Sequence, residues 1–408
     1  MQIYKYVILG GGMVAGYAAR ELVEGGLRSG DLAIISADGA LPYERPPLSK
    51  GFLAGKEEET SIFINDRAFY DAHGITVHLG TAIDAVDLGQ QRLRRQAGEE
   101  IGYDKLLIAT GANVRRLAVP GATLDGILYL RSLHDAKRIL AQAEGARRAV
   151  VIGAGFIGME VASVLAQRGI ETTIVYPGER VWQRFFTPEI SAFFQRYYEG
   201  RGVSLVAGER VVSFAGQERV SGAITASGRQ LPADLIVAGI GVVPATDVFE
   251  GTGLQLDNGI VVNEYLETSE PDVYAAGDVA SYYDVIFDKQ RRVEHWDNAV
   301  EQGRHAARLL MGDRVPFVHV PYFFSDVFDL SYEFWGDTAV ASDVVYRGDV
   351  AGGCFSAWWL KDSRVVAAFV MNRPDEEREL APTWISERHL VSGRDVRDDR
   401  VPLHANGA

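Results

Sequence analysis

Two stretches of this sequence carry glycines at a spacing suited to phosphate chemistry. Gly10-Gly11-Gly12-Met13-Val14-Ala15 follows the apolar run Tyr6-Val7-Ile8-Leu9, and Gly153-Ala154-Gly155-Phe156-Ile157-Gly158 follows Ala149-Val150-Val151-Ile152. Between a strand and a helix, glycines so placed bring backbone amides against a pyrophosphate, which then rests on the positive end of the helix. One such match is as well explained by a plain tight turn. Two, each between strand and helix patterns, point to two dinucleotide sites. A third stretch, Tyr274-Ala275-Ala276-Gly277-Asp278, sets a carboxylate just past a short apolar strand and a glycine turn. Standing alone, Asp278 would read as an ordinary helix cap. In a chain that opens with a dinucleotide fingerprint it suits a sugar alcohol, and the ribityl chain of FAD is the best candidate.

These groups need scaffolding, and the periodicity supplies it. Val14, Ala18, Leu22 and Val23 repeat at helical spacing up to Gly25-Gly26, and Leu32-Ala33-Ile34-Ile35 follows as a second strand. The later fingerprint has the same layout: Ile157, Val161, Val164 and Leu165 form the helical stripe, Gly169 ends it, and Thr172-Thr173-Ile174-Val175 is the next strand. Tyr103 to Ala112 reads as a buried strand closing on the small turn Ala109-Thr110-Gly111. Asp234 to Gly241 closes the second unit, and Gly259 to Val262 and Pro271 to Tyr274 bring the chain back to Asp278. The segment Leu41-Pro42-Tyr43-Glu44-Arg45-Pro46-Pro47-Leu48-Ser49-Lys50 carries three prolines, so a stiff extended stretch is expected, poor as a helix. It could present Arg45 and Lys50 to a flat anionic ligand, or be a solvated surface loop. Beyond Pro321 the texture turns aromatic and β-rich without a further glycine fingerprint. After Ser392 it is polar, and the last residues are expected to be mobile.

The expected architecture is α/β: two Rossmann-like dinucleotide-binding domains, one for FAD and one for NAD, plus a C-terminal α+β domain. The flavin domain is discontinuous, residues 1–113 with 245–320; the NAD(P)H domain spans 114–244 and the last domain 321–408. A chain of 408 residues with 47% hydrophobic and 24% charged residues suits several folded domains. Net charge of −14 argues against nucleic acid as a partner. No apolar run approaches the ~20 residues a bilayer requires. A start that enters a strand directly leaves no room for a signal peptide, and the single Cys354 excludes an intramolecular disulfide, so a cytoplasmic protein is expected. HExxH, CxxC and GxSxG patterns are absent, so neither a metal site nor a serine hydrolase is supported.

At this point the chain resembles the two-nucleotide flavoproteins of the glutathione-reductase fold. Within them it is most similar to the branch of ferredoxin reductases of oxygenase systems, apoptosis-inducing factor and monodehydroascorbate reductase. The resemblance runs over nearly the whole chain and rests on Pro42 to Lys50, Ala109-Thr110-Gly111, Gly153 to Gly158 with Glu160, Gly277-Asp278, and Arg291-Arg292-Val293-Glu294-His295. Val175-Tyr176-Pro177 and Arg184-Phe185-Phe186-Thr187 resemble the monodehydroascorbate reductase subgroup. The resemblance implies FAD held by Gly10, Gly12, Met13 and Ala15, with Ala109, Thr110 and Gly111 nearby and Gly277-Asp278 on the ribityl chain. Arg45, Pro46, Lys50 and Phe324 would lie along the flavin, and Glu294-His295-Trp296 near its pyrimidine edge. Gly153, Gly155, Phe156, Ile157, Gly158, Glu179 and Gly241 would hold the nicotinamide nucleotide. Lys50 and Glu160 would form the catalytic pair, the cation favouring anionic reduced flavin and the carboxylate fixing it. Glu160 is equally readable as an acid favoured by the helix dipole.

The acid expected after the second strand is displaced in both units. In the first, the family position falls on Ala37, with Asp38 next; in the second, Tyr176 stands there, followed by Pro177-Gly178-Glu179-Arg180. Glu179 favours NADH by repelling a 2′-phosphate, while Arg180 keeps NADPH open. No cysteine lies in the proline segment, and Cys354 reads as structural, inside a β core. Electrons must then leave FAD directly for an external acceptor. Pro321-Tyr322-Phe323-Phe324-Ser325-Asp326 fits the aromatic stretch of ferredoxin reductases, so a small iron–sulfur carrier is expected. A small organic acceptor, monodehydroascorbate or a quinone, is the alternative, weakened by Asp326 where those reductases carry a base. A third reading is an NADH-binding redox sensor like apoptosis-inducing factor. A homodimer is left open.

Overall fold

The computed structural model describes residues 1–95 and 98–404. The chain forms two compact units: residues 1–45, 58–113 and 242–321, and residues 46–57, 114–241 and 322–408.

In the first unit the strand Gln2–Leu9 lies between Leu32–Ile35 and Glu100–Ile108, all parallel. Thr76–His78 extends one side and Val273–Ala275 pairs with Glu100–Ile108. The central strands are unbroken apolar runs because both faces are covered: Val7, Ile8, Ala33, Ile34, Leu106 and Leu107 are fully buried. Helix Met13–Glu24 packs on helix Trp296–Met311. Gly303 permits the close crossing, since a β-carbon there would sit 2.8 Å from the Val14 carbonyl oxygen.

The second unit contains a parallel sheet ordered Ser204–Val206, Glu171–Val175, Arg148–Ile152, Leu235–Ala238, Ile127–Tyr129. Its helix Phe156–Gln167 ends just before Gly169, as the pattern implies. Ile157, expected on the apolar stripe, is instead 40% exposed, because it occupies the open first turn. The same unit holds an antiparallel sheet ordered Tyr322–Val327, Leu330–Gly336, Arg364–Met371, Cys354–Lys361, Asp343–Asp349, followed by helices Asp375–Ser386 and Gly393–Arg397.

Two local expectations are corrected, on the proline segment and on Cys354. The proline segment is not extended throughout: Pro46–Ser49 is a 3₁₀ turn. Pro46 and Pro47 fall in its first turn, where a missing N–H costs nothing. The C-terminal stretch is held as far as Leu403. The buried Arg347 donates to the carbonyls of Val396, Asp398 (2.7 Å) and Val401 (2.9 Å), and Val396 and Leu403 are buried; the expected mobility of the last residues falls on 405–408, which lie outside the described residues. Cys354 is exposed rather than in a core, at the start of its strand, its thiol donating to the Asn372 carbonyl at 3.0 Å.

Candidate active site

Helix starts reveal where ligands belong. The first N–H groups of an α-helix have no partner inside it. Ser132 and Asp135 close helix Leu133–Ala143 with a reciprocal capping box, and Thr187 caps Pro188–Glu199. Helices Met13–Glu24 and Phe156–Gln167 have neither a capping side chain nor an acid in the first turn. Among the described α-helices these two alone lack both, and they are the helices that follow the glycine fingerprints.

At the first, Gly10 has φ +127°, and a β-carbon there would lie 2.0 Å from the Ala109 carbonyl oxygen. Ala109, Thr110 and Gly111 thus form the wall opposite, pinned by Thr110 Oγ1 donating to the Ala245 carbonyl (2.9 Å). Gly11 abuts the Ser36 hydroxyl, whereas Gly12 opens towards Arg45, whose guanidinium sits 4.8 Å from the Tyr43 ring. Met13 and Ala15 are buried beneath. Ala37 is exposed; Asp38 is turned into its own loop, accepting from Tyr43 (2.8 Å) and from the Ala40 amide (3.2 Å).

Gly277 and Asp278 lie on a 3₁₀ turn beside helix Trp296–Met311. Gly277 donates its amide to Gln302 Oε1 at 2.7 Å, which leaves Gln302 Nε2 buried without a partner; Asn298 Oδ1 on the same helix is likewise buried and unpaired. Buried polar groups are seldom left so, and a polar ligand would answer them. Arg292 donates to the Asp278 carbonyl (3.1 Å) and pairs with Glu294 (2.6 Å). Burial pushes the His295 imidazole down to about 4, against the pull of Asp278, so it is neutral at pH 7. Trp296 donates to Glu44 Oε2, while Tyr17 donates to Glu44 Oε1, each at 2.5 Å. The role of Glu44 was missed because its partners come from distant parts of the sequence.

At the second fingerprint, Gly153 and Gly158 are packed against backbone: β-carbons there would lie 2.2 Å from the Gly239 oxygen and 2.0 Å from the Gly153 oxygen. Gly155 has open space around it. Phe156 packs on Phe185 (4.9 Å) and Phe323 (4.5 Å), and the Gly241 carbonyl holds the Arg115 amide at 2.9 Å. Glu179 is exposed, free to meet a ribose; Tyr176 is buried and its hydroxyl finds no partner, so it does not take the acid's place at the surface.

Lys50 and Glu160 meet as expected, Nζ to Oε1 at 2.6 Å, with only 14% and 4% of their side chains exposed. Glu160 is the fifth residue of its helix, past the first turn, so the dipole alone does not explain it. Pro46, Lys50, Phe324 and Asp326 line an open cleft of about 330 Å³, and Lys50 Nζ stands 5.2 Å from the Phe324 ring. Two further donors reach Glu160 that the sequence did not single out, Ser49 and Ser325.

Two uncapped helix starts, glycines that admit no side chain, and unpaired buried amide atoms near Asp278 fit two dinucleotides. Residues 4–303 match the family described as pyridine nucleotide-disulphide oxidoreductase, and residues 322–406 the one described as reductase C-terminal. The chain belongs to the pyridine nucleotide-disulphide oxidoreductase family. It is similar to monodehydroascorbate reductase 4, peroxisomal, of Arabidopsis thaliana: 39% identical, over 92% of this chain and 81% of that protein. It is also 33% identical to putidaredoxin reductase CamA of Pseudomonas putida, over 97% of this chain and 95% of that one. A chain in the crystal structure of the covalent putidaredoxin reductase–putidaredoxin complex matches its fold with a TM-score of 0.93 at 33% identity, covering 97% of this chain and 96% of that chain. Membership makes this protein a flavoprotein oxidoreductase that uses FAD and NAD(H). It departs from the disulphide-reducing members in having no cysteine but Cys354. Among the described residues no helix is long and apolar enough to cross a membrane, and no His, Cys, Asp and Glu cluster could hold a metal.

Proposed function

We propose that this protein is a cytoplasmic reductase that takes two electrons from NADH and delivers them singly to a small iron–sulfur carrier. The chemistry supplied by bound FAD is two-electron uptake and one-electron release. The chain's own residues bind and poise. Gly10, Gly12, Met13 and Ala15 offer amides to the FAD pyrophosphate, and Asp278 accepts a ribityl hydroxyl. Gly153, Gly155 and Gly158 seat NADH, with Glu179 excluding a 2′-phosphate. Lys50, paired with Glu160, brings a cation to the flavin. The reading divides the chain into a flavin domain of residues 1–113 with 245–320, a nucleotide domain of 114–244 and a C-terminal domain of 321–408.

The observation carrying the choice of acceptor is Asp326. It lines the cleft beside Lys50 together with Phe324 and Phe328, so an anionic organic radical would meet a carboxylate there. Tyr322 and Phe324 stack at 6.4 Å on the same strand, an aromatic face suited to a protein carrier. The 39% identity to a monodehydroascorbate reductase favours a second reading, an ascorbate-radical reductase. Stopped-flow reoxidation of the reduced protein by a ferredoxin, by monodehydroascorbate and by a quinone separates them. Fast turnover with ferredoxin alone is expected. Preference for the ascorbate radical would establish the second reading, and reduced flavin persisting for minutes with every acceptor would mark a sensor.

A further inference from the structure

We infer that Ser49 and Ser325 are positioning residues: they clamp Glu160 so that the Lys50 ammonium has one seat, and Ser325 thereby ties the poise of the redox centre to the C-terminal sheet. The inference rests on the role given above to Lys50.

Three donors converge on one buried carboxylate. Ser49 Oγ donates to Glu160 Oε2 at 2.5 Å, while Lys50 Nζ and Ser325 Oγ both donate to Oε1 at 2.6 Å. Glu160, Ser49 and Ser325 are 3%, 2% and 0% exposed. A lone Lys–Glu contact would leave the carboxylate free to turn about its last bond and the ammonium free to follow it. Donors on both oxygens, arriving from separate segments, fix the carboxylate plane. The donors also have fixed seats. Ser49 closes the 3₁₀ turn Pro46–Ser49 and reaches the Pro46 carbonyl at 3.4 Å. Ser325 stands directly across the sheet from Tyr332. Tyr332 is fully buried and locked against Phe194 and Phe369, each at 5.2 Å. Burial drives its hydroxyl well above 10, with the Ser325 hydroxyl working against the rise and Glu160 adding to it.

Packing alone does not account for these serines. Ser325 is a fully buried polar residue in the aromatic run Tyr322-Phe323-Phe324, where an unbonded hydroxyl would be costly. Its side-chain bond runs to Glu160, a residue 165 positions earlier in the chain. A shift in the register of Tyr322–Val327 would therefore move the Lys50 ammonium without touching Lys50.

The test compares Ser325→Ala, Ser49→Ala, Ser325→Thr and Lys50→Met as holoproteins. The readouts are flavin content, flavin midpoint potential by spectroelectrochemical titration, single-turnover reduction by NADH, NADH affinity and melting temperature. Each Ser→Ala change is expected to slow reduction about tenfold, the scale of one lost charge-assisted hydrogen bond. It should shift the midpoint in the same direction as Lys50→Met, though less, with flavin content and NADH affinity unchanged. Ser325→Thr, which keeps the hydroxyl, should restore both. If Lys50→Met moves potential and rate but neither alanine variant does, the serines only pack and the inference fails while the role of Lys50 stands. A lowered melting temperature with an unmoved potential likewise reduces the serines to packing. A silent Lys50→Met overturns both.

Discussion

The two glycine cradles use the same local device and end in opposite surroundings. In the first, the residues entering the helix are enclosed: Met13 is 5% exposed and Ala15 0%. Gln302, Trp296 and Glu44 are drawn in around it by bonds to Gly277 and Tyr17 and to one another. In the second, Ile157 and Phe185 are each 40% exposed, and nothing crowds Gly155. Under the proposed function, fingerprints that look interchangeable on paper are expected to differ in residence time: a retained group in the closed cradle, an exchanging one in the open cradle. The phosphate grip is written locally, whereas retention comes from elements hundreds of residues away.

The largest effect should come from filling the closed cradle. Gly10→Val forces a side chain into a β-carbon position 2.0 Å from backbone at φ +127°, a cost of more than about 4 kcal/mol. No soluble yellow protein is expected on purification. Next, Asp278→Ala should weaken FAD about 10- to 100-fold by removing a hydrogen bond to a carboxylate; dialysis followed by absorbance at the flavin bands measures it. A variant that kept its colour would remove Asp278 from the ribityl chain.

The third test uses acid. His295 is held down to about 4 by burial, against about 6.5 in an unfolded chain. Below pH 6.5 the unfolded chain gains a proton that the folded one refuses. Stability should fall between pH 6.5 and 4 and level off below, by about 2–3 kcal/mol from this residue. Urea midpoints at pH 7.5 and 4.5 for the natural chain and His295→Gln give the difference, and equal slopes would show that His295 takes no part. The smallest effect belongs to the open cradle. Gly155→Ala meets no neighbour, so stability should change by less than about 0.5 kcal/mol. The KM for NADH should nonetheless rise several-fold as the added methyl stands where a phosphate approaches. An unchanged KM would break the contrast between the cradles.

How much of this could be read from the chain alone follows the range of the interactions. Strand–glycine–helix units depend on neighbours within about thirty residues, so Gly10 to Ala15 and Gly153 to Gly158 were legible with their flanking elements. The Lys50–Glu160 contact was legible only through resemblance. Glu44, Gln302, Ser49 and Ser325 were not, because each bonds across 25 to 252 positions and its residue type is unremarkable in its own segment. The C-terminal stretch shows the same limit. Its polar composition gives no sign of the grip that Arg347, some fifty residues earlier, takes on it. Cys354 misled because a sequence shows that a strand is apolar but not which of its residues stands at the rim.

The bare helix starts carry one more consequence. Elsewhere the fold closes such ends with Ser132, Thr187 or Asp66, so leaving two of them open is stability withheld until cargo arrives. By mass action each nucleotide returns that deficit in proportion to the logarithm of its concentration over its dissociation constant. The polypeptide is consequently expected to report its own loading, an empty chain melting earlier than a filled one.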